Sequence, residues 1–143
     1  MSVAATKDRI IAAAERLFAS DGLARTSLRA IAAEAGVNVA AVHYHFGSKE
    51  ELLAAVFQRH VAPINEARLR WLDRLEAEGR PDVRSLLEAF LAPVIQTDAS
   101  GTRPGADLAQ LFGRLWAERE DFVERLVREQ FREVAQRFAT AFA

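Results

Sequence analysis

The 143 residues are half hydrophobic, carry 19 basic and 20 acidic side chains for a net charge of −1, and contain no cysteine. That length buries a real core as one domain or two small ones, the apolar fraction excludes a disordered chain, and the missing thiol excludes disulfides and thiolate chemistry. With no apolar leader and no run of membrane-spanning length, a cytoplasmic protein without a membrane partner is expected.

Four prolines, seven glycines and no sustained period-two alternation point to an all-α fold. The first helix reads from about Thr6, its cap, to Ser20, with Ile10, Ala14, Leu17 and Phe18 on one face and Gly22 as the stop. A shorter helix follows Ser27, burying Leu28, Ile31, Ala32 and Ala35, and ends at Gly36. A third starts near Asn38 and turns Val42 and Phe46 inward. Gly47 breaks it, and Ser48 with Glu51 three residues later forms a capping box for the fourth, whose inner residues are Leu52, Leu53, Val56 and Phe57. Pro63 kinks that helix or begins a new one running past Trp71 to about Glu78. Pro81 then sits near the first position of a helix that contains Pro93 and reaches about Thr97. "DASGTRPG" is a loop, and from Ala106 onward the pattern is helical, broken around "AERED".

The stretch "AGVNVAAVHYHFGSKEELL" carries the chemistry. Two short helices meet at Gly36, whose freedom to take positive φ suits a tight corner, and Val37 plugs the gap beneath it. The second helix of the pair then exposes Val39, Ala40, Ala41, His43 and Tyr44. Small residues let it approach a surface closely. In a DNA major groove the Ala and Val methyls would meet thymine methyls, leaving hydrogen bonds to Asn38, His43 and Tyr44. The helix start after Gly47, with Lys49 beside it, is a phosphate seat. A metal site on His43 and His45 is excluded because residues two apart on a helix point about 200° apart. No Gly-x-Ser-x-Gly, P-loop, dinucleotide glycines or His-framed carboxylate pair suggests an enzyme, and no cofactor is expected.

"TSLRAIAAEAGVNVAAVHYHFGSKEELLAAVF" resembles the DNA-binding domain of the tetracycline-repressor (TetR) family of bacterial regulators, over roughly residues 6–57. The resemblance implies phosphate contacts at Thr26, Ser27 and Arg29, base and backbone contacts at Asn38, Val39, Ala40, Ala41, His43, Tyr44 and His45, and a backbone contact at Lys49. It departs from the family in having His43 where a Tyr is frequent and Val39 at a position that is often polar, so specificity leans on apolar contacts and DNA shape.

The expected architecture is therefore a three-helix DNA-binding head over residues 1–47 and a helical ligand-sensing and dimerisation body over 48–143. The function that the resemblance implies is that of a repressor on palindromic operator DNA, released by a small hydrophobic effector. A helical metabolite-binding module that does not use DNA is the alternative. The effector is expected among Arg68, Trp71, Phe90, Val94, Leu111, Leu115 and Trp116, with an Arg such as Arg68 or Arg114 for any anionic group. Family members are longer, and the chain reads as shortened at its C-terminus. The stripe Val127, Phe131, Val134 and Phe138 is expected in or beside a homodimer interface, because leaving it exposed would create a sizeable apolar patch.

Overall fold

The computed structural model describes residues 2–96, 104–118 and 121–143, with side chains of the sixth helix described from Ala109 onward. Among these residues there are seven helices and no strand: α1 (Val3–Asp21), α2 (Leu28–Ala35), α3 (Val39–Phe46), α4 (Lys49–Glu78), α5 (Val83–Ile95), α6 (Pro104–Ala117) and α7 (Asp121–Phe142).

The caps follow the local chemistry with three adjustments. Ser2, not Thr6, caps α1, its hydroxyl oxygen accepting the Ala5 N–H at 3.1 Å, while the Thr6 hydroxyl donates to the Ser2 carbonyl at 3.2 Å. Ala4 and Ala5 extend the helix backward because alanine is the strongest helix former. Asp82 caps α5 by accepting the Ser85 N–H at 2.7 Å, so Pro81 stands before the cap, and the helix ends at Ile95. Those bonds to Ser85 also hold the Asp82 carboxyl below the usual range. Of the expected loop, Pro104 and Gly105 begin α6, and residues 98–103 lie outside the described residues.

Pro63 starts no new helix, since α4 runs unbroken through it for 30 residues. An interior proline removes one backbone donor and crowds the carbonyl four residues back, at a cost of about 3 kcal/mol. Here the proline itself faces solvent, while Val61 and Ile64 on either side are 1% and 3% exposed. Burial of the flanking side chains offsets the lost bond.

The chain forms two compact units, Met1–Gln58 with Ala109–Glu124, and Arg59–Leu108 with Arg125–Ala143. A boundary at residue 47 marks the end of the recognition helices, whereas the packing divides α4 itself, because Leu52, Leu53, Val56 and Phe57 are fully buried. In the first unit the Phe57 ring meets Phe112 edge-on, with centroids 4.7 Å apart. The second unit closes on Leu72, Leu86, Ala89, Val134 and Phe138, with Leu69, Trp71, Leu75 and Phe90 packed around them. Outside that core Arg137 donates to Asp73 at 2.7 Å and Glu76 at 2.9 Å. The Asp73 bond leads in pushing the guanidinium above its ordinary range.

Part of the stripe expected in or beside an interface is covered within the chain itself. Val134 and Phe138 are 2% and 3% exposed within the chain's own second unit, and only Val127 and Phe131 are half-buried. The stripe is the inner face of α7. Apolar spacing tells that a face is covered, not by what.

Candidate nucleic-acid interface

Gly36 takes the left-handed conformation at φ 65° and ψ 38°, and its N–H reaches the Ala32 and Ala33 carbonyls. The Val37 N–H returns to Ala32 O at 3.0 Å, and Arg9 donates to the Ala35 carbonyl at 2.5 Å, which satisfies the end of α2. Asn38 then caps α3, its Oδ1 accepting the Ala40 N–H at 2.9 Å. Val42 is wholly buried and Phe46 half-buried, so α3 is held by the face that the pattern predicts.

Its other face is open. Tyr44 is 84% exposed, Ala40 and His43 are also exposed, and Val39, Ala41 and His45 are half-buried. The Tyr44 and His45 rings stand edge-on with centroids 5.1 Å apart, which orients the phenol without burying it. His43 Nδ1 lies 3.3 Å from the Gly47 carbonyl. With the proton on Nδ1 the ring closes the end of α3 and leaves Nε2 as an acceptor.

The residues expected on phosphate divide. Ser27 is exposed, its oxygen accepting the Ala30 N–H at 3.1 Å while its own proton stays available, and Arg29 is exposed on the first turn of α2. Thr26 leaves the set. Its side chain is 3% exposed, and the hydroxyl donates to Gly22 O at 2.7 Å with Leu17 O at 3.3 Å. Thr26→Val should therefore cost about 1–2 kcal/mol in urea unfolding, because it strips a buried donor from its acceptors. The affinity of the folded fraction for duplex DNA should not change, and a loss there would return Thr26 to the contact surface.

Lys49 is half-buried and donates from Nζ to the Leu23 carbonyl at 2.7 Å, with two further protons left for a phosphate. The helix start beside it is less open than expected. Ser48 accepts the Glu51 N–H at 3.1 Å, and the Glu51 carboxylate lies over Gly47, so an acid stands near the anion seat. The corner carrying Leu23 has a second tie that the sequence did not disclose. The Glu118 carboxylate at the end of α6 accepts the N–H groups of Leu23 at 2.8 Å and Ala24 at 3.0 Å.

The residues expected around an effector do not gather in one unit. Arg68, Trp71, Phe90 and Val94 belong to the second; Leu111 and Leu115 are buried residues of the first, and Trp116 is 59% exposed. The sequence named Arg68 but did not disclose its burial. Arg68 is 5% exposed, donating from Nε to Phe90 O at 2.8 Å and from Nη1 to Asn65 Oδ1 at 3.1 Å. Burial pulls its guanidinium below the ordinary range. A second missed feature is the ladder Val83, Leu87, Leu91 and Ile95 on the outer side of α5, whose four-residue spacing was visible. No cluster of metal-ligating side chains occurs among the described residues, and none of their helices is long and apolar enough to cross a membrane.

Residues 10–56 match the family of bacterial regulatory proteins called the tetR family, and residues 88–143 match a tetracyclin repressor-like C-terminal domain. Among curated proteins, the transcriptional regulator AcrR of Shigella flexneri is 31% identical over 98 residues, covering 68% of this chain and 44% of that protein. The nicotine-responsive transcriptional repressor HdnoR of Paenarthrobacter nicotinovorans is 32% identical over 117 residues, covering 79% of this chain and 55% of the other. The chain thus spans about half the length of the curated relatives it matches. A solved HlyIIR mutant superposes with TM-score 0.68 at 22% identity, over 98% of this chain and 70% of that one. A transcriptional regulator of Saccharomonospora viridis in complex with choline gives 0.61 at 22%, over 94% and 67%.

Proposed function

Because the chain belongs to the tetR family of bacterial regulatory proteins, we propose that it binds double-stranded operator DNA as a homodimer and represses transcription until a small, mostly hydrophobic effector releases it. The observation that carries the reading is α3. A helix anchored by Val42 and Phe46, entered through a left-handed Gly36, offers Ala40, His43 and an 84% exposed Tyr44 to the outside. A lone monomer has no reason to leave its one tyrosine there, whereas a major groove accepts such a helix and reads it by methyl contacts and the His43 and Tyr44 polar atoms. Ser27, Arg29 and Lys49 supply phosphate contacts that set the register.

Two heads are required because one helix–turn–helix reads only a few base pairs. Release is supported by relatives described as nicotine-responsive and solved with choline. For this chain the effector region is the second unit, around Arg68, Trp71, Phe90 and Val94.

Selection of bound duplexes from a random pool tests the DNA reading and the symmetry together. The expected product is an inverted repeat whose half-site centres lie about 34–36 Å apart or a multiple of it. A pool that stays random would leave the alternative, an effector-binding helical module that does not use DNA. A single enriched half-site would overturn the dimer.

A further inference from the structure

We propose that Glu118, at the end of α6, is a positioning residue for the phosphate contact of Lys49, acting through the one peptide group that joins Leu23 to Ala24. The proposal rests on the DNA-binding reading above. All of the residues involved belong to the first unit. The Glu118 carboxylate accepts the Leu23 N–H at 2.8 Å on Oε1 and the Ala24 N–H at 3.0 Å on Oε2. Lys49 Nζ donates to the Leu23 carbonyl at 2.7 Å. The Ala24 N–H and the Leu23 carbonyl are the two ends of one planar amide. A carboxylate and an ammonium therefore bracket the same peptide.

The order of the charges matters. A peptide unit carries a dipole of about 3.5 D with its N–H end positive. The anion stands at that end and the cation at the carbonyl, so both charge-assisted bonds follow the dipole and each polarises the amide in favour of the other. The corner is shaped to take the carboxylate. A Cβ at Gly22 would overlap Glu118 Oε1, so the glycine leaves that seat clear. The preceding peptide is held in the same sense: the Gly22 carbonyl accepts the Thr26 hydroxyl at 2.7 Å while the Leu23 N–H meets Glu118. Leu23 is 5% exposed, which ties the corner to the core. A lysine stem is among the side chains with most rotamer freedom, and ordering one on binding costs affinity. With Nζ fixed beforehand on the bracketed carbonyl, its two other protons are presented to a phosphate already oriented.

The test titrates the full chain on an unselected duplex, where phosphate contacts dominate. Glu118→Ala should weaken binding roughly three- to tenfold per head, the cost of ordering one long side chain on contact. The sign is diagnostic, because removing an acid from a DNA-binding unit ordinarily strengthens binding by relieving repulsion. Glu118→Gln, which keeps one acceptor oxygen and drops the charge, should fall between the parent and the alanine variant. Lys49→Met should lower the log–log salt slope by about one per head. In that background Glu118→Ala should change affinity by less than about twofold, whereas a general structural role would cost the same with or without the lysine. Affinity equal to or above the parent's in a folded Glu118→Ala, an undiminished loss in the Lys49→Met background, or an unchanged slope in Lys49→Met would each overturn the proposal. Should Glu118→Ala not fold, Glu118→Gln decides by the same comparisons. A parent chain that binds no duplex overturns the DNA-binding reading and this role with it. A parent that binds and fails any of the comparisons loses the Glu118 role alone.

Discussion

Phe57→Ala should remove about 3–5 kcal/mol of folding stability, the range for truncating a buried aromatic. Phe57 is fully buried, its ring set edge-on to Phe112 at 4.7 Å and 61°, in a core that also holds Leu53 and Val56 at 0% exposure. Alanine would forfeit the transferred surface and leave a cavity that surrounding helices cannot fill without moving. Against a typical stability of about 5–15 kcal/mol, the loss is enough to unfold much of the population on modest warming. Trp116→Ala is the control. That indole is larger but 59% exposed, and its removal should cost within about 1 kcal/mol. Urea unfolding of the two variants side by side checks the prediction. Equal losses would mean that Phe57 is not packed as described.

Tyr44→Ala should do the reverse, leaving the fold alone and removing function. An exposed side chain away from caps and cores changes stability within about 0.5 kcal/mol. If α3 lies in the groove, losing the phenol removes about 1–3 kcal/mol of base discrimination, roughly five- to 150-fold in operator affinity. Binding to unrelated duplex should fall less, because Ser27, Arg29 and Lys49 still meet phosphates. The readout is a pair of titrations, selected operator and scrambled sequence, beside a thermal melt. An unshifted melt with unshifted operator affinity would remove α3 from the interface.

The parts of this molecule legible in the sequence are those decided within a few residues. Gly36, Asn38, Ser27 and Ser48 act on neighbours two to four positions away, so turn and caps could be written down from residue type and spacing. The inner faces of α1 to α4 were legible for the same reason. Partners distant in sequence were not. The α7 stripe announces a buried face, but only the fold discloses that Val134 and Phe138 are covered by Leu72, Leu86 and Ala89. Thr26 looks like any polar residue at a helix start until Gly22 and Leu17 turn their carbonyls toward it. Trp116 was expected in a pocket as an apolar aromatic, though aromatic character alone does not bury a side chain, and it stands 59% exposed. Arg68 was named for its charge, yet its burial depends on Asn65, Phe90 and Phe131 coming from three helices.

The bond from Lys49 to the Leu23 carbonyl has a practical consequence. Only two of the nineteen basic residues are lysines, and they stand in opposite circumstances: Lys7 is exposed on α1, whereas the Lys49 amine is half-shielded and engaged at 2.7 Å. An acylating reagent meets the first amine at once and the second when the corner lets go, so local opening sets the slower rate. The ratio of the two adducts in a mass spectrum is therefore an internal clock for that corner. Lys7 supplies the time base, and no label or cysteine has to be introduced.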